Sequence, residues 1–324
     1  MLYLRQCRTA CFLVMCASIA GASFGQSYPN KSIRLIVASA PGGNIDLVAR
    51  AVVEKLSVDF GQPVVVDNRA GASGSIASEL AAKSKPDGYT LLVVATSHST
   101  NLHLHSKLSY DSIKDFAPIS QLGAASFALA VHASSEVKTI SQFVALAKAT
   151  KGQLTYATAG IGQANHLGME LLKTRAEFDA LHVPYTSMGV AATALMGRQV
   201  DVAILSLPAA IPAANAGRLR ILAVTGGKRA AQLPDVPTVA ESGIPGYELT
   251  GWQGLLAPAG TPQAVITKLN QETVRILNRP DAIAHLAAGG LEPVSSTPQE
   301  FATFIQTEIA KWGKVIKQSG VKAE

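Results

Sequence analysis

Leu35-Ile36-Val37-Ala38-Ser39-Ala40-Pro41-Gly42-Gly43-Asn44-Ile45-Asp46-Leu47-Val48-Ala49-Arg50 is the stretch whose reading decides the fold. Ile33 to Val37 is a short, mostly branched aliphatic run, the pattern of a strand covered on both faces. Pro41 has no N–H to give to a ladder, so the chain turns there. Gly42 and Gly43 allow backbone angles and close approaches that a side chain would block. Asn44 or Gly43 can cap the helix that follows, which puts Asp46 in its first turn. The first N–H groups of that helix have no partner inside it and point past the strand end. Such a helix start holds an anion without a cationic side chain, and in open α/β sheets ligands sit at the carboxyl ends of strands.

The same unit recurs outward from this stretch. Val64 to Val66 reads as a second buried strand, Ser73 to Lys83 as an Ala-rich helix and Thr90 to Val94 as a third strand, ending in the polar loop Ala95 to Asn101. Strand, helix, strand, helix, strand in this order implies a parallel sheet with right-handed crossovers. Tyr110 to Pro118 is irregular, Ile119 to Leu122 and Phe127 to Val131 are apolar, and a crossing into a second domain is expected near Gly123. There the alternation resumes: a helix over Thr139 to Lys148, a strand over Leu154 to Ala157, the glycine turn Thr158 to Gln163, a helix from Ala164, and a strand Leu181 to Val183 closed by Pro184-Tyr185-Thr186-Ser187. A further helix ends near Met196, Val202 to Leu205 is a strand ending at Ser206, and Leu219 to Val224 is another strand. Leu249 to Leu256 returns to the first domain, and three helices close the chain. The expected division is a targeting segment over 1–25, a first lobe over 26–123 and 226–324, and a second lobe over 124–225.

The chain of 324 residues, 48% hydrophobic and 15% charged, has enough apolar material for a filled core. Its net charge of +6 is spread thinly, without a basic run or a basic stripe interleaved with aromatics, which argues against nucleic acid as a partner. Arg5 and Arg8 followed by the apolar run Thr9 to Ala20 and small residues read as a secretory signal cleaved between Ala22 and Gly25. Cys7, Cys11 and Cys16 all fall within it, so the mature chain has no disulfide, thiolate nucleophile or Cys-based metal site. No later stretch reaches the roughly 18 apolar residues of a membrane helix, and a soluble extracytoplasmic protein is expected.

Several motifs carry competing readings. Gly160-Ile161-Gly162 after a strand resembles part of a dinucleotide fingerprint, but Asn165 stands at the third position, and a turn bringing helix amides to a ligand is the simpler reading. Gly71-Ala72-Ser73-Gly74-Ser75 is a loose nucleophile elbow with Ser75 where glycine is required, and reads better as a loop. His98, His103 and His105 lack a neighbouring carboxylate to complete a metal set and read as surface histidines. His166 is either a ligand donor or a partner of its own loop; Tyr185 offers a phenol at a strand end or half-fills the surface; Asp46 binds a cationic group or complements its own helix dipole. None of the loops around Pro41, Ser97, Gly160, Tyr185 and Ser206 contains Lys or Arg. A carboxylate bound there would be held by amides, hydroxyls and water.

The chain resembles, over essentially all of its mature length, the periplasmic solute-binding receptors of the tripartite tricarboxylate transporter type, the Bug family. The residues that carry this are Tyr28-Pro29-Asn30-Lys31-Ser32-Ile33, Pro41-Gly42-Gly43 with Asp46 and Ala49-Arg50, Asn68 to Gly74, Pro86-Asp87-Gly88-Tyr89-Thr90, Lys114 to Ile119, His182-Val183-Pro184-Tyr185, Gly217-Arg218-Leu219-Arg220, Leu222 to Thr225, Leu233 to Thr238 and Ala257 to Pro262. The resemblance implies an α/β, two-lobed type II periplasmic binding protein, a Venus flytrap with two parallel-rich sheets and a hinge. It implies a monomer without cofactor or metal, not an enzyme, that holds a small organic acid or amino acid between its lobes for membrane permease subunits. Carried over, the ligand residues would be Pro41, Gly42, Gly43, Asp46, Ser97, Ser99 and Asn101 in the first lobe, and Gly160, Gly162, His166, Tyr185, Thr186 and Ser206 in the second. Thr186 and Ser187 replace the Lys-Gly pair common after Pro-Tyr, and Val190, Ala194 and Ser112 also depart from the pattern, which leaves the identity of the acid open. The alternatives from other classes are an exported α/β hydrolase-like enzyme using a strand-end serine, and a sensor lobe for a signalling partner.

Overall fold

The computed structural model describes residues 28–322, so the expected signal segment over 1–25 and its cysteines lie outside the described residues. Strand β1 (Ile33–Val37) leads through the Pro-Gly-Gly turn into α1 (Asn44–Phe60), then β2 (Val64–Asn68), a 3-10 turn (Ala72–Gly74) with α2 (Ser75–Ala82), β3 (Thr90–Ala95) and α3 (Ser97–Leu104). β4 (Phe116–His132) is followed by α4 (Ile140–Ala149), β5 (Thr155–Thr158), α5 (Ala164–Ala176), β6 (Leu181–Pro184), α6 (Met188–Met196), β7 (Val202–Ser206), α7 (Leu207–Asn215) and β8 (Leu219–Val224). β9 (Thr250–Pro258), α8 (Gln263–Leu277), α9 (Pro280–Ala288), β10 (Glu292–Pro293) and α10 (Pro298–Ser319) complete the chain.

The strands run in the order β2-β1-β3-β9-β4-β7-β5-β6, with β8 and β10 also paired to β4. β1 is parallel to β2 and β3, and β5 is parallel to β6 and β7, as the strand–helix alternation requires. The strands between these two groups are antiparallel: β9 against β3 and β4, and β4 against β7, β8 and β10. The sheet is therefore mixed, parallel at both ends and antiparallel where the lobes meet.

β4 is the element that joins the lobes. Phe116 to Ser126 pairs with β9, and Phe127 to Val131 pairs with β7. The sequence shows this strand as two apolar pieces separated by a glycine, because Pro118 and Gly123 interrupt the pattern. The structure absorbs both at register shifts between Pro118 and Ser120 and between Gln121 and Gly123.

Each half of the sheet is covered on both faces. In the first lobe Ile33, Leu35 and Val37 pack with Val48, Val52, Leu269 and Ile276, while Ile36 faces Leu92, Trp252 and Phe301 on the other side. In the second lobe Tyr156, Leu167 and Ile204 form one core, and Ala157, Leu195 and Leu205 the other. The segment 226–324, expected in the first lobe, contributes side chains to cores on both sides of the crossing. Val239, Tyr247 and Leu249 belong to a second-lobe core, and α10 enters both: Phe301, Ile305 and Ile309 in the first lobe, Trp312, Val315 and Ile316 in the second.

Ser97 to Asn101, which reads as a polar loop, is the start of α3. Ser, Thr, His and Asn have poor helix propensity, and tertiary bonds supply what the sequence lacks. His98 Nε2 meets the Ser112 carbonyl at 3.0 Å, Asn101 Nδ2 donates to Ser73 O and Ser75 Oγ at 3.1 Å each, and His103 Nε2 meets the Ile309 carbonyl at 3.0 Å. His98 and His103 are thereby placed as packing groups, and among the described residues no cluster of His, Cys, Asp and Glu could hold a metal ion.

Candidate functional site

A cavity of about 360 Å³ lies between the lobes. Six helix starts reach it. From the first lobe come Asn44 and Ile45 of α1, Gly74 at the cap of α2, and Ser97 and Thr100 of α3 with Thr96 before them. From the second come Ala164 of α5 with Gly162 and Gln163 before it, Met188 of α6, and Ser206 at the cap of α7. Ala125 and Phe127 of β4 and Gly251, Trp252 and Gln253 of β9 also line it, at the crossing between lobes. No lining residue is charged.

Five of these six helices, all but α6, have no side chain hydrogen-bonded at the N-cap. Helices α4 and α10, which do not line the cavity, carry Thr139 and Thr297 as capping acceptors. Helices α8 and α9, also away from the cavity, lack such a cap as well, so it is the gathering of bare starts at one place that carries chemical meaning. Some first-turn amides there are already engaged, His166 N with Asn165 Oδ1 and Ser99 N with the Thr96 carbonyl, but Asn44 and Ile45 of α1 and Ala164 of α5 begin their helices at the cavity, and a helix end favours an anion by about 0.3–2 kcal/mol.

The loops that present these amides are held from behind. Residues 71–74 all have positive φ, including Ala72 (45°) and Ser73 (52°), a conformation costly for side-chain-bearing residues. Asn101 Nδ2 pins this loop through Ser73 O and Ser75 Oγ. Asp46 is buried and accepts from the Gly42 amide at 2.9 Å, from Asn68 Nδ2 at 2.9 Å and from Arg50 Nε at 2.8 Å. Burial works against its charge, but the bonds from Arg50, Gly42 and Asn68 outweigh it and hold the carboxyl below the usual range.

In the second lobe the Gly162 amide donates to His166 Nδ1 at 2.9 Å, which fixes a neutral ring protonated on Nε2. His166 stacks on His182 with ring centroids 3.9 Å apart, and Thr158 Oγ1 meets His182 Nε2 at 2.6 Å. Burial first, then the neighbouring His182 and Lys173, push the His166 pKa down to about 3. Burial likewise lowers that of His182, against the pull of Glu170.

Of the residues expected to bind, Ser97, Gly162 and Ser206 line the cavity. The others lie off its wall. Pro41, Gly42 and Gly43 form the turn that delivers Asn44 and Ile45, and Asp46 braces that turn. Ser99 Oγ donates to the Thr96 carbonyl, and Asn101 supports the 71–74 loop. The Gly160 amide donates to Thr158 Oγ1, and His166 supports Gly162. Tyr185 is half-buried against the Ala-rich core of the second lobe, and Thr186 is exposed. Met188, three residues beyond Tyr185, takes the lining position.

Most of the lining residues that sequence reading missed flank the expected ones at the same strand ends, such as Asn44, Thr96, Thr100 and Gln163, and two further groups lie apart from them. Gly71, Ser73 and Gly74 belong to a glycine-rich stretch that is visible in the sequence. Ala125, Phe127 and Gly251 to Gln253 lie within strands, and no local signal marks them.

A family model described as "Tripartite tricarboxylate transporter family receptor" matches residues 48–321. Protein BugT of Bordetella pertussis (strain Tohama I) is 34% identical over 308 residues, 94% of this chain and 94% of BugT. The structure titled R. palustris Rpa4515 with adipate has a TM-score of 0.79 and 34% identity, covering 91% of this chain and 99% of that one. MatC (Rpa3494) from Rhodopseudomonas palustris with bound malate has a TM-score of 0.75 and 31% identity, covering 89% of this chain and 100% of that one.

Proposed function

The chain belongs to the tripartite tricarboxylate transporter family of receptors, and from that premise we propose that it captures a small organic carboxylate between its lobes and presents it to the membrane permease of such a transporter. The observation that carries this is the uncharged cavity ringed by open helix starts from both lobes. A carboxylate there accepts charge-assisted bonds from amides fixed in place before it arrives. Adipate and malate in the two related structures are acids of this kind.

In this reading the lobes divide within β4 near Ser126 and again where β9 begins, and closure about these crossings expels water from around the bound acid. The protein works as a monomer in the periplasm, reached through its N-terminal signal, and releases its ligand unchanged. Among the described residues no helix is long and apolar enough to cross a membrane.

Thermal unfolding against a panel of mono-, di- and tricarboxylates, amino acids and aromatic acids tests this. A true ligand at a hundredfold excess over its Kd adds about 2.7 kcal/mol of stability and is recovered intact after hours with the protein. A panel in which no carboxylate stabilises the protein, or conversion of the one that does, refutes the reading.

A further inference from the structure

We infer that a first-lobe segment, Gly290 to Glu292, positions the second-lobe helix start at Ser206 and thereby fixes where that part of the cavity wall stands. The inference rests on the receptor reading above and assigns it positioning residues outside the site. Neither Gly290 nor Glu292 lines the cavity, whereas Ser206 does. The segment acts through α7, which begins directly after Ser206.

The segment is anchored in the first lobe. The Gly290 amide donates to the Ala287 carbonyl and the Leu291 amide to the Leu286 carbonyl, which closes the end of α9. Leu291 is buried in the core that holds Leu35 and Val48. Glu292 and Pro293 pair with Ala124 and Gly123 of β4, next to Ala125 of the cavity wall.

From this anchor the segment reaches the second lobe twice. Gly290 has a φ of 73°, which favours glycine, and a Cβ there would come within 2.6 Å of Pro208 Cγ and 2.7 Å of Pro208 Cδ. Pro208 lies in the first turn of α7. Its ring is rigid, so it cannot swing aside as a long side chain would, and a push at residue 290 passes along the chain to Ser206. The second contact is an ion pair, Lys228 Nζ to Glu292 Oε2 at 2.8 Å. Lys228 lies between Val224 and Ala230, which share one core with Leu207 and Ala210 of α7. Both contacts therefore bear on the same packed unit. The Lys228 side chain is 81% exposed, so the pair adds little to folding stability, and its effect falls on how the two lobes stand to each other.

Calorimetric titration with adipate, malate and the acid that binds most tightly in the panel above tests the inference. Lys228→Glu and Glu292→Lys should each weaken binding about fivefold with the unfolding midpoint unchanged. The double exchange, Lys228→Glu with Glu292→Lys, rebuilds the pair in reverse and should restore affinity to within about twofold of wild type. Gly290→Ala should weaken binding about tenfold by crowding Pro208. Gly217→Ala is its reference: Gly217 has a φ of 66° and nothing within 4 Å of a Cβ, so the variant carries the backbone strain alone and should bind as wild type does. Unchanged affinity in both charge reversals, failure of the exchange to restore it, or equal binding by the two glycine variants overturns this inference and leaves the receptor reading standing. Failure of every carboxylate to bind the wild-type protein overturns both.

Discussion

At the scale of single residues, the polar groups near the cavity divide into those that line it and those that brace it. The sequence does not separate the two. Asp46, Asn101 and His166 all stand where a ligand contact is reasonable, yet each is engaged with a loop: Asp46 with Gly42, Asn101 with Ser73 and His166 with Gly162. Asn68 and Ser73, which engage Asp46 and Asn101, lie more than twenty residues away from them in sequence, beyond the reach of local pattern reading. Ser97, Gly162 and Ser206 were legible because each sits at a strand end where the local reading already puts amides.

The bracing histidine has a consequence for pH. His166 stays neutral in the fold down to about pH 3, whereas an unfolded histidine takes up a proton near 6.5. Between these values the unfolded state binds more protons, so stability rises with pH and is lost as pH falls from 6.5. One such group costs about 1.4 kcal/mol per pH unit, or about 2–3 kcal/mol by pH 4.5. Asp46, whose pKa is lowered in the fold, adds loss in the same direction at more acid pH. Urea unfolding of the His166→Asn variant should show a drop between pH 6.5 and 4.5 that is smaller by about that amount. An equal drop in both proteins would mean that burial of the neutral ring is not its source.

At the scale of elements, local chemistry sets the ends of some helices and tertiary packing makes others. α10 is of the first kind. Thr297 Oγ1 accepts from the Glu300 amide at 3.2 Å, the Glu300 carboxylate accepts from the Thr297 amide at 2.8 Å, and Pro298 follows at the first helical position. α3 is of the second kind, since its helical form depends on partners at Ser112, Ser73 and Ile309. β4 was partly legible: its apolar halves are visible in the sequence, but the bulges that make them one strand depend on pairing with β9. The capping box yields a prediction of its own kind. Thr297→Ala should cost about 1 kcal/mol, read as a lower denaturant midpoint, with ligand affinity unchanged because Thr297 is not part of the cavity wall. A change in affinity would show that the start of α10 is coupled to the site.

At the scale of the whole molecule, the central question is how two lobes move when one strand and one helix belong to both. β4 passes from one set of partners to the other between Ser126 and Phe127, and the Thr225 amide and hydroxyl tie Phe127 and Leu249 together at that level. α10 spans the same gap from behind, with Phe301, Ile305 and Ile309 in one core and Trp312, Val315 and Ile316 in the other. A close-packed core does not shear freely, so the closure proposed above would have to run as a modest rotation about the β4–β9 crossing that α10 can follow. Leu104 of α3 already lies against Gly162: a Cβ on that glycine would come within 2.6 Å of the leucine. Gly162 also has a φ of 73°, so Gly162→Val strains its own turn as well as crowding Leu104, and should weaken the approach of the two lobes at this contact. Small-angle scattering should show the wild-type protein compacting when saturating ligand is added, and the Gly162→Val protein compacting less while binding more weakly. A scattering curve unmoved by a ligand that calorimetry shows to be bound would rule out closure as the means of capture.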